Sequence, residues 1–223
     1  MDGLLAGGDL VVIAKVCTHL GLGDHIICNG LVRELAKRHG RVITYAKPHN
    51  MIAVMEMFYG VNVEVAPASE MPHDSHPVLY RIGFEWRDRA LPFDADFYRI
   101  AHVPFAKRWN SFGAMLPTDQ VGPIPKEPYV FLHEDVERGF LVDRGRIPSG
   151  VRVVEAEYGK TPSIFGYYAL MAKAAQIHVI DSAFLFLADS YPELGRKTTT
   201  HRYARSLPED EIPTLMRVKR VLT

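Results

Sequence analysis

Between residues 10 and 66 the chain alternates short, β-branched apolar runs with segments of helical periodicity, and that rhythm narrows the possible folds more than any other feature. LVVIAKVC (10–17) is almost wholly apolar and stops at a glycine-bearing turn, the pattern of a strand covered on both faces. From Asp24 to His39, Ile27, Leu31 and Leu35 recur at helical spacing with Val32 and Ala36 beside them, while Arg33, Glu34, Lys37 and Arg38 fall opposite. Gly40 supplies the stop. RVITYA (41–46) predicts a second strand, residues 50–59 a short methionine-rich helix, and VNVEVA (61–66) a third strand. A β-α-β-α-β order of such short units implies a parallel sheet covered by helices.

The pattern lapses between Pro67 and Pro77, predicting a loop, and residues 78–82 predict a further strand. Residues 94–115 read as mostly helical, interrupted at Pro104. PTDQVGPIPKEP (117–128) concentrates four prolines and a glycine, which marks a linker and a boundary between domains at 1–120 and 121–223. After it the rhythm resumes. YVFLH (129–133) predicts a strand, VRVVEAE (151–157) another, 163–175 a helix, IHVID (177–181) a strand and SAFLFLADSY a helix, with a final strand in RVKRVLT.

Composition removes several classes of function. The 223 residues carry 26 basic and 26 acidic side chains, a formal net charge of zero, so there is no general electrostatic drive toward nucleic acid or anionic lipid. Cys17 and Cys28 are too few for a disulfide framework and lack CxxC spacing, so neither a zinc site nor a redox pair is expected. No apolar run approaches the ~18 residues of a transmembrane segment, and the N-terminus lacks the basic start of a signal peptide. A cytoplasmic protein is the expectation.

The chemistry-bearing residues gather at strand ends. In THLGLGDHIICNG (18–30), Gly21 and Gly23 permit a sharp turn and close backbone approach, ahead of a helix whose free N–H groups suit a polar or anionic ligand. The spacing is neither a dinucleotide fingerprint, since the third glycine is missing, nor a phosphate loop, since no lysine follows. Asp24 reads equally as an ordinary helix cap, and His19 and His25 as structural histidines. His133 and Ser182 follow two further strands, where open parallel sheets hold ligands, although Asp181 or Ser182 also suits a plain cap. Lys107 and Arg108 read as a solvated helix end, and His201, Arg202 and Arg205 as a basic cluster facing either phosphate or solvent. The Asp94-Ala95-Asp96 pattern resembles a metal-binding DxD, but no hydrophobic strand leads into it and helix capping is simpler. His73, Asp74 and His76 lack a further ligand for zinc. Met51, Met55 and Met57 read as packing residues.

The segment GLGDHIICNGLVRELAKRHGRVITY resembles the opening of GT-B-type glycosyltransferases, in particular heptosyltransferase-like and capsule-related enzymes. FYRIAHVPFAKRW, YVFLHEDVERGF, IFGYYALMAKAAQIHVIDSAFLFLADS and HRYAR are similar, in that order, to stretches of small glycosyltransferase-like proteins, so the likeness runs from about residue 10 to 205. It implies an α/β protein of two compact Rossmann-like parallel-sheet domains facing a cleft, an acceptor-side domain first and a nucleotide-sugar-side domain second. It further implies transfer of a sugar from a nucleotide-sugar to a carbohydrate or other hydroxyl acceptor, with no metal or resident cofactor. By the same resemblance Asp24 is the base, assisted by His25 or His19. Gly21, Gly23, His133, Arg138, Ser182, Ala183, Arg202 and Arg205 hold the donor phosphates. The chain is short for that fold, which leaves open a catalytically degenerate protein that only binds a nucleotide, a glycan or a partner.

Overall fold

A computed structural model describes residues 12–73, 76–84, 88, 90–118, 121–157, 159–205 and 212–221. Four strands, β1 (Ile13–Cys17), β2 (Arg41–Ala46), β3 (Val63–Pro67) and β4 (Leu79–Arg81), form one sheet in the order β3-β2-β1-β4. Five more, β5 (Tyr129–His133), β6 (Arg152–Glu155), β7 (Gln176–Val179), β8 (Thr198–His201) and β9 (Lys219–Val221), form a second in the order β6-β5-β7-β8-β9. Every pairing in both is parallel. The alternation seen in the sequence therefore builds two parallel sheets, with helical crossovers returning the chain after β1, β2, β6 and β7.

The helices are α1 (Leu22–His39), α2 (Met51–Met57), α3 (Phe93–Ile100), α4 (Lys107–Asn110), α5 (Tyr168–Lys173), α6 (Ala183–Ser190) and α7 (Pro192–Gly195). Helix α1 is the hub. It is buried far beyond the single stripe its periodicity predicts, with His25, Asn29 and Gly30 covered as well as Ile27, Leu31 and Leu35. Helices α3, α4 and α6 all pack on it. Gly30 makes the α4 contact possible, since a Cβ there would lie 2.0 Å from the Lys107 carbonyl oxygen. The Tyr98 hydroxyl bridges one turn of α1, accepting from Leu31 N–H at 3.1 Å and donating to the Ile27 carbonyl at 2.9 Å. One contiguous apolar core runs from Ala14 through α1 to Phe131, Leu185 and Leu194, so the two sheets share an interior.

A buried polar network reinforces that union. Arg108, 4% exposed, pairs with Asp94, lies 3.9 Å from Asp189 and donates to the Thr214 carbonyl at 2.7 Å. Asp94 accepts from Thr214 N–H at 3.0 Å, and Asp189 accepts from Trp109 Nε1 at 2.7 Å and from the Met216 and Arg217 N–H groups at 2.9 and 2.8 Å. The segment around Thr214 thus fastens α3 and α4 to α6.

Several expectations change here. Arg108 is no solvated helix end, because two distant carboxylates neutralise it inside the protein. Asp94 and Asp96 do not cap α3, whose N-cap position is Pro92. Asp94 serves the Arg108 network and Asp96 bonds Arg99 Nε at 2.6 Å. Residues 94–115 split into α3 and α4, and the turn between them contains His102 at φ 51° and Pro104. Strand β8, TTTH, has no apolar signature and was not foreseen, while β9 matches the expected final strand. Residues 117–128 contain no helix or strand among those described. Asp74 lies outside the described residues. No described helix is long and apolar enough to cross a membrane.

Candidate functional site

The amino ends of α1 and α6 meet. A Cβ on Gly23 would stand 2.9 Å from the Phe186 ring and 4.0 Å from Ala183 Cα, so this glycine sets how closely the two helices approach. Beside the contact opens a cavity of about 530 Å3 whose lining includes His19, Asp24 and Phe97 from the first half and Asp181, Ser182 and Arg205 from the second. A second cavity, about 640 Å3, lies along the β5 and α6 ends and is lined by His133, Arg138, Ser163 and Tyr167, with Leu22, His49 and Asn50 opposite. Ser182 and Ala183 line both, so the start of α6 is the partition between them.

Asp24 is the third residue of α1, half-buried on the wall of the first cavity. It is not the cap: Gly21 occupies that position and no side chain bonds there. Burial pushes the Asp24 carboxyl above its ordinary range, with the nearby His19 and Arg205 charges pulling the other way. Its Oδ2 lies 2.6 Å from where a Gly21 Cβ would be. The Asp24 carboxylate thus lies over Gly21 and the Phe186 ring over Gly23, and both glycines line the first cavity.

His25 points to a different role from Asp24. It is 3% exposed and absent from the lining of both cavities, its Nδ1 is 3.5 Å from Thr18 Oγ1, and burial holds its pKa down to about 4. His19 does line the first cavity, where Nε2 bonds the Gly83 carbonyl at 3.1 Å and the ring meets Phe84 and Phe97 edge-on.

On the other helix, Ser182 occupies the N-cap position of α6 without a side-chain cap bond. Its hydroxyl instead lies 3.2 Å from His133 Nδ1, and the His133 ring leans on Phe184 with centroids 4.4 Å apart. Burial lowers the His133 pKa to about 4, so the ring is neutral at pH 7 and one nitrogen remains an acceptor. The α6 N–H groups at Ser182, Ala183 and Phe184 have no intrahelical partner, and the helix dipole is positive there. Arg205 extends Nη1 to the Asp181 carbonyl at 3.2 Å. Arg138 is on the rim of the second cavity, exposed and bonded through Nε to Asp135 at 2.6 Å. Arg202 is the exception among the expected phosphate ligands: it is 6% exposed, lines neither cavity, and stands 3.5 Å from the Asp181 carboxylate.

Sequence reasoning gave Asp181 only a capping role, yet it lines the cavity with both carboxylate oxygens buried. Its place at the end of the IHVID strand was the available signal. Asp96 and Phe186, also in the lining, gave none: one looked like a cap and the other like core.

No family model matches the sequence, and no curated protein matches it. Among solved structures, this chain is similar to the heptosyltransferase TibC in complex with ADP-D-β-D-heptose, with a TM-score of 0.58 at 14% identity over 98% of this chain and 67% of that one. It is similar also to the glycosyltransferase TibC from enterotoxigenic E. coli H10407, with a TM-score of 0.50 at 14% identity over 83% of this chain and 61% of that one. At such identity the likeness shows the fold, a glycosyltransferase-like arrangement of parallel-sheet α/β units. Both neighbours are iron-containing dodecamers. Among the described residues here, no three His, Cys, Asp or Glu side chains gather as a metal site.

Proposed function

We propose that this protein is a GT-B-like glycosyltransferase that moves a sugar from a nucleotide-sugar donor to a carbohydrate or other hydroxyl acceptor, with helix N–H groups and guanidinium cations holding the diphosphate. The observation that carries this is the single cavity wall shared by the Asp24 carboxylate and the amino end of α6. The donor's nucleoside occupies the second cavity against Tyr167 and His133, and its diphosphate crosses the partition at Ser182 and Ala183. The sugar then projects toward Asp24.

In the transfer, Asp24 takes the proton of the acceptor hydroxyl as that oxygen bonds the anomeric carbon. The bond from that carbon to the diphosphate oxygen breaks, and its electron pair leaves on the phosphate. The charge that develops there is met by the α6 N–H groups, the Ser182 hydroxyl and Arg205, with Arg138 closing from the rim. A carboxyl raised by burial is a stronger base than one in water, which suits Asp24 to the task. His25 and Arg202 take no direct part: the first is buried on the inner side of α1, and the second neutralises Asp181.

Incubation with ADP-, UDP- and GDP-sugars and a glycoside mixture tests this. Acceptor-dependent release of nucleoside diphosphate is expected, and Asp24→Asn should cut turnover by about 10²–10⁴-fold while donor affinity stays. Turnover unchanged in Asp24→Asn removes it as base. A second reading is a protein that binds nucleotide without turnover. Tight nucleoside diphosphate binding with no transfer and no donor hydrolysis across the panel would select it.

A further inference from the structure

We propose that Phe140 is a positioning residue of the diphosphate site: its one ring holds the guanidiniums of Arg138 and Arg205 on either side of the α6 amino end, so that both reach one diphosphate. The inference rests on the glycosyl-transfer reading and adds to it a residue outside both cavities. Arg205 lines the first cavity and Arg138 the second, while Ser182 and Ala183 line both. Phe140 lines neither, so it acts on a ligand through those two side chains and not by touching it.

The chain reverses tightly just after Arg138. Gly139, at φ 75°, donates its N–H to the Val136 carbonyl at 3.1 Å, and Phe140 then exchanges two backbone hydrogen bonds of 2.9 Å with Asp135. Glycine adopts that left-handed conformation without the strain a side chain would bring. The Asp135 carboxylate accepts from Arg138 N–H at 3.1 Å and from its Nε at 2.6 Å, which fixes the cation at the tip of the hairpin. Phe140 itself is anchored from below. It packs on the apolar cluster of Val130, Leu132, Val142, Ile147 and Ile180, and Ala204, the neighbour of Arg205, packs on the same cluster.

The place of the ring decides that of both cations. Arg138 Cζ stands 5.4 Å and Arg205 Cζ 5.8 Å from the Phe140 centroid, each within the ~6 Å at which an aromatic face attracts a cation. Those two distances limit the gap between the guanidiniums to a span that one diphosphate can bridge. Two like charges so near each other repel, and long side chains resist being fixed; the shared ring offsets both effects by attracting each cation. Donors remain for a ligand. A guanidinium carries five N–H groups, of which Asp135 engages Nε and Nη2 of Arg138 and the Asp181 carbonyl engages Nη1 of Arg205 at 3.2 Å. A second tie joins the two limbs: the Tyr203 hydroxyl accepts from Asp143 N–H at 2.9 Å, and Arg146 Cζ lies 5.3 Å from the Tyr203 centroid.

Titration calorimetry of the full chain at pH 7 with inorganic pyrophosphate and with ADP, UDP and GDP tests this. Phe140→Leu keeps an apolar side chain on the cluster but removes the ring face, whereas Phe140→Tyr keeps the face. Phe140→Leu is expected to weaken pyrophosphate and the tightest nucleoside diphosphate by about three- to ten-fold, with Phe140→Tyr within about two-fold of wild type. Arg205→Gln should cost about ten-fold in the wild type and clearly less in Phe140→Leu, where the cation is already out of place. Unchanged diphosphate affinity in Phe140→Leu shown by thermal unfolding to be folded, an equal loss in Phe140→Tyr, or no binding of pyrophosphate or any of the three nucleotides at millimolar concentration would overturn the proposal. Should Phe140→Leu not fold, Arg138→Gln and Arg205→Gln decide, because strictly additive losses in the double variant would show that the two cations do not act as a unit. The two readings fail separately. Ring-dependent pyrophosphate binding without transfer from any nucleotide-sugar sinks only the reaction, whereas Asp24-dependent transfer with wild-type diphosphate affinity in Phe140→Leu sinks only the positioning role.

Discussion

Replacing Arg108 by Met should destabilise the protein severely and in a pH-dependent way. The guanidinium is 4% exposed and serves Asp94, Asp189 and the Thr214 carbonyl, so its removal strands two buried carboxylates and one carbonyl. Asp189 keeps three donors, Trp109 Nε1 and the Met216 and Arg217 N–H groups, and is buffered. Asp94 keeps Thr214, through N–H at 3.0 Å and Oγ1 at 3.2 Å, and carries most of the loss. Breaking a buried pair by removing one partner costs about 3–5 kcal/mol, a large share of a domain's usual ~5–15 kcal/mol. Met preserves most of the side-chain volume, so the loss reports charge rather than a cavity. Burial already raises the Asp94 carboxyl while Arg108 lowers it, so without Arg108 it rises further. A carboxyl raised in the folded state opposes folding where it is ionised. The deficit of the variant is therefore full above the folded-state pKa and shrinks as pH falls toward the unfolded value near ~3.9, by at most about 1.4 kcal/mol per pH unit. Urea unfolding of both proteins at pH 8 and pH 5 measures this, and adding Asp94→Asn to the variant should recover part of the loss. A deficit below ~1 kcal/mol at pH 8, or one equal at the two pH values, would refute a buried ionic lock between the halves.

Other expectations follow from the same coordinates. Three histidines, His25, His133 and His201, are held at about 4 by burial, so the unfolded chain binds more protons below its own value near ~6.5. Stability should be flat above that pH and fall between it and about pH 4, with a slope approaching ~4 kcal/mol per pH unit for three protons; equal urea midpoints at pH 7 and pH 5 would contradict it. Gly30→Ala gains about 1 kcal/mol of helix propensity but drives a Cβ to 2.0 Å from the Lys107 carbonyl, which is backbone and cannot swing aside. A net loss of ~1–2 kcal/mol is expected by chemical denaturation, and a stabilised variant would disprove the close α1–α4 contact. The transfer rate should rise with pH through an acid limb lying above the ordinary carboxylate range, because Asp24 must be ionised to act. A limb at ordinary Asp values would show that burial does not raise it.

The sequence by itself determined the local architecture. β1, β2, β5 and β7 were legible because strands covered on both faces are continuous apolar runs, and α1 and α6 because helical periodicity or an apolar stretch follows a polar turn. The turn at Asp24 and the strand ends at His133 and Ser182 were also visible, since ligand sites in parallel sheets lie at strand C-termini. Tertiary structure decided the rest. TTTH became β8 because neighbours β7 and β9 bury it, a protection its own polarity does not announce. Arg108 went inside because Asp94, Asp189 and Thr214, remote along the chain, converge on it. Asp181 joined the cavity lining, Arg202 did not, and the Asp24 carboxylate came to lie over the Gly21 turn. Periodicity records which side of an element is buried, whereas the partner that meets a charge there is set by long-range packing, and no local pattern encodes it.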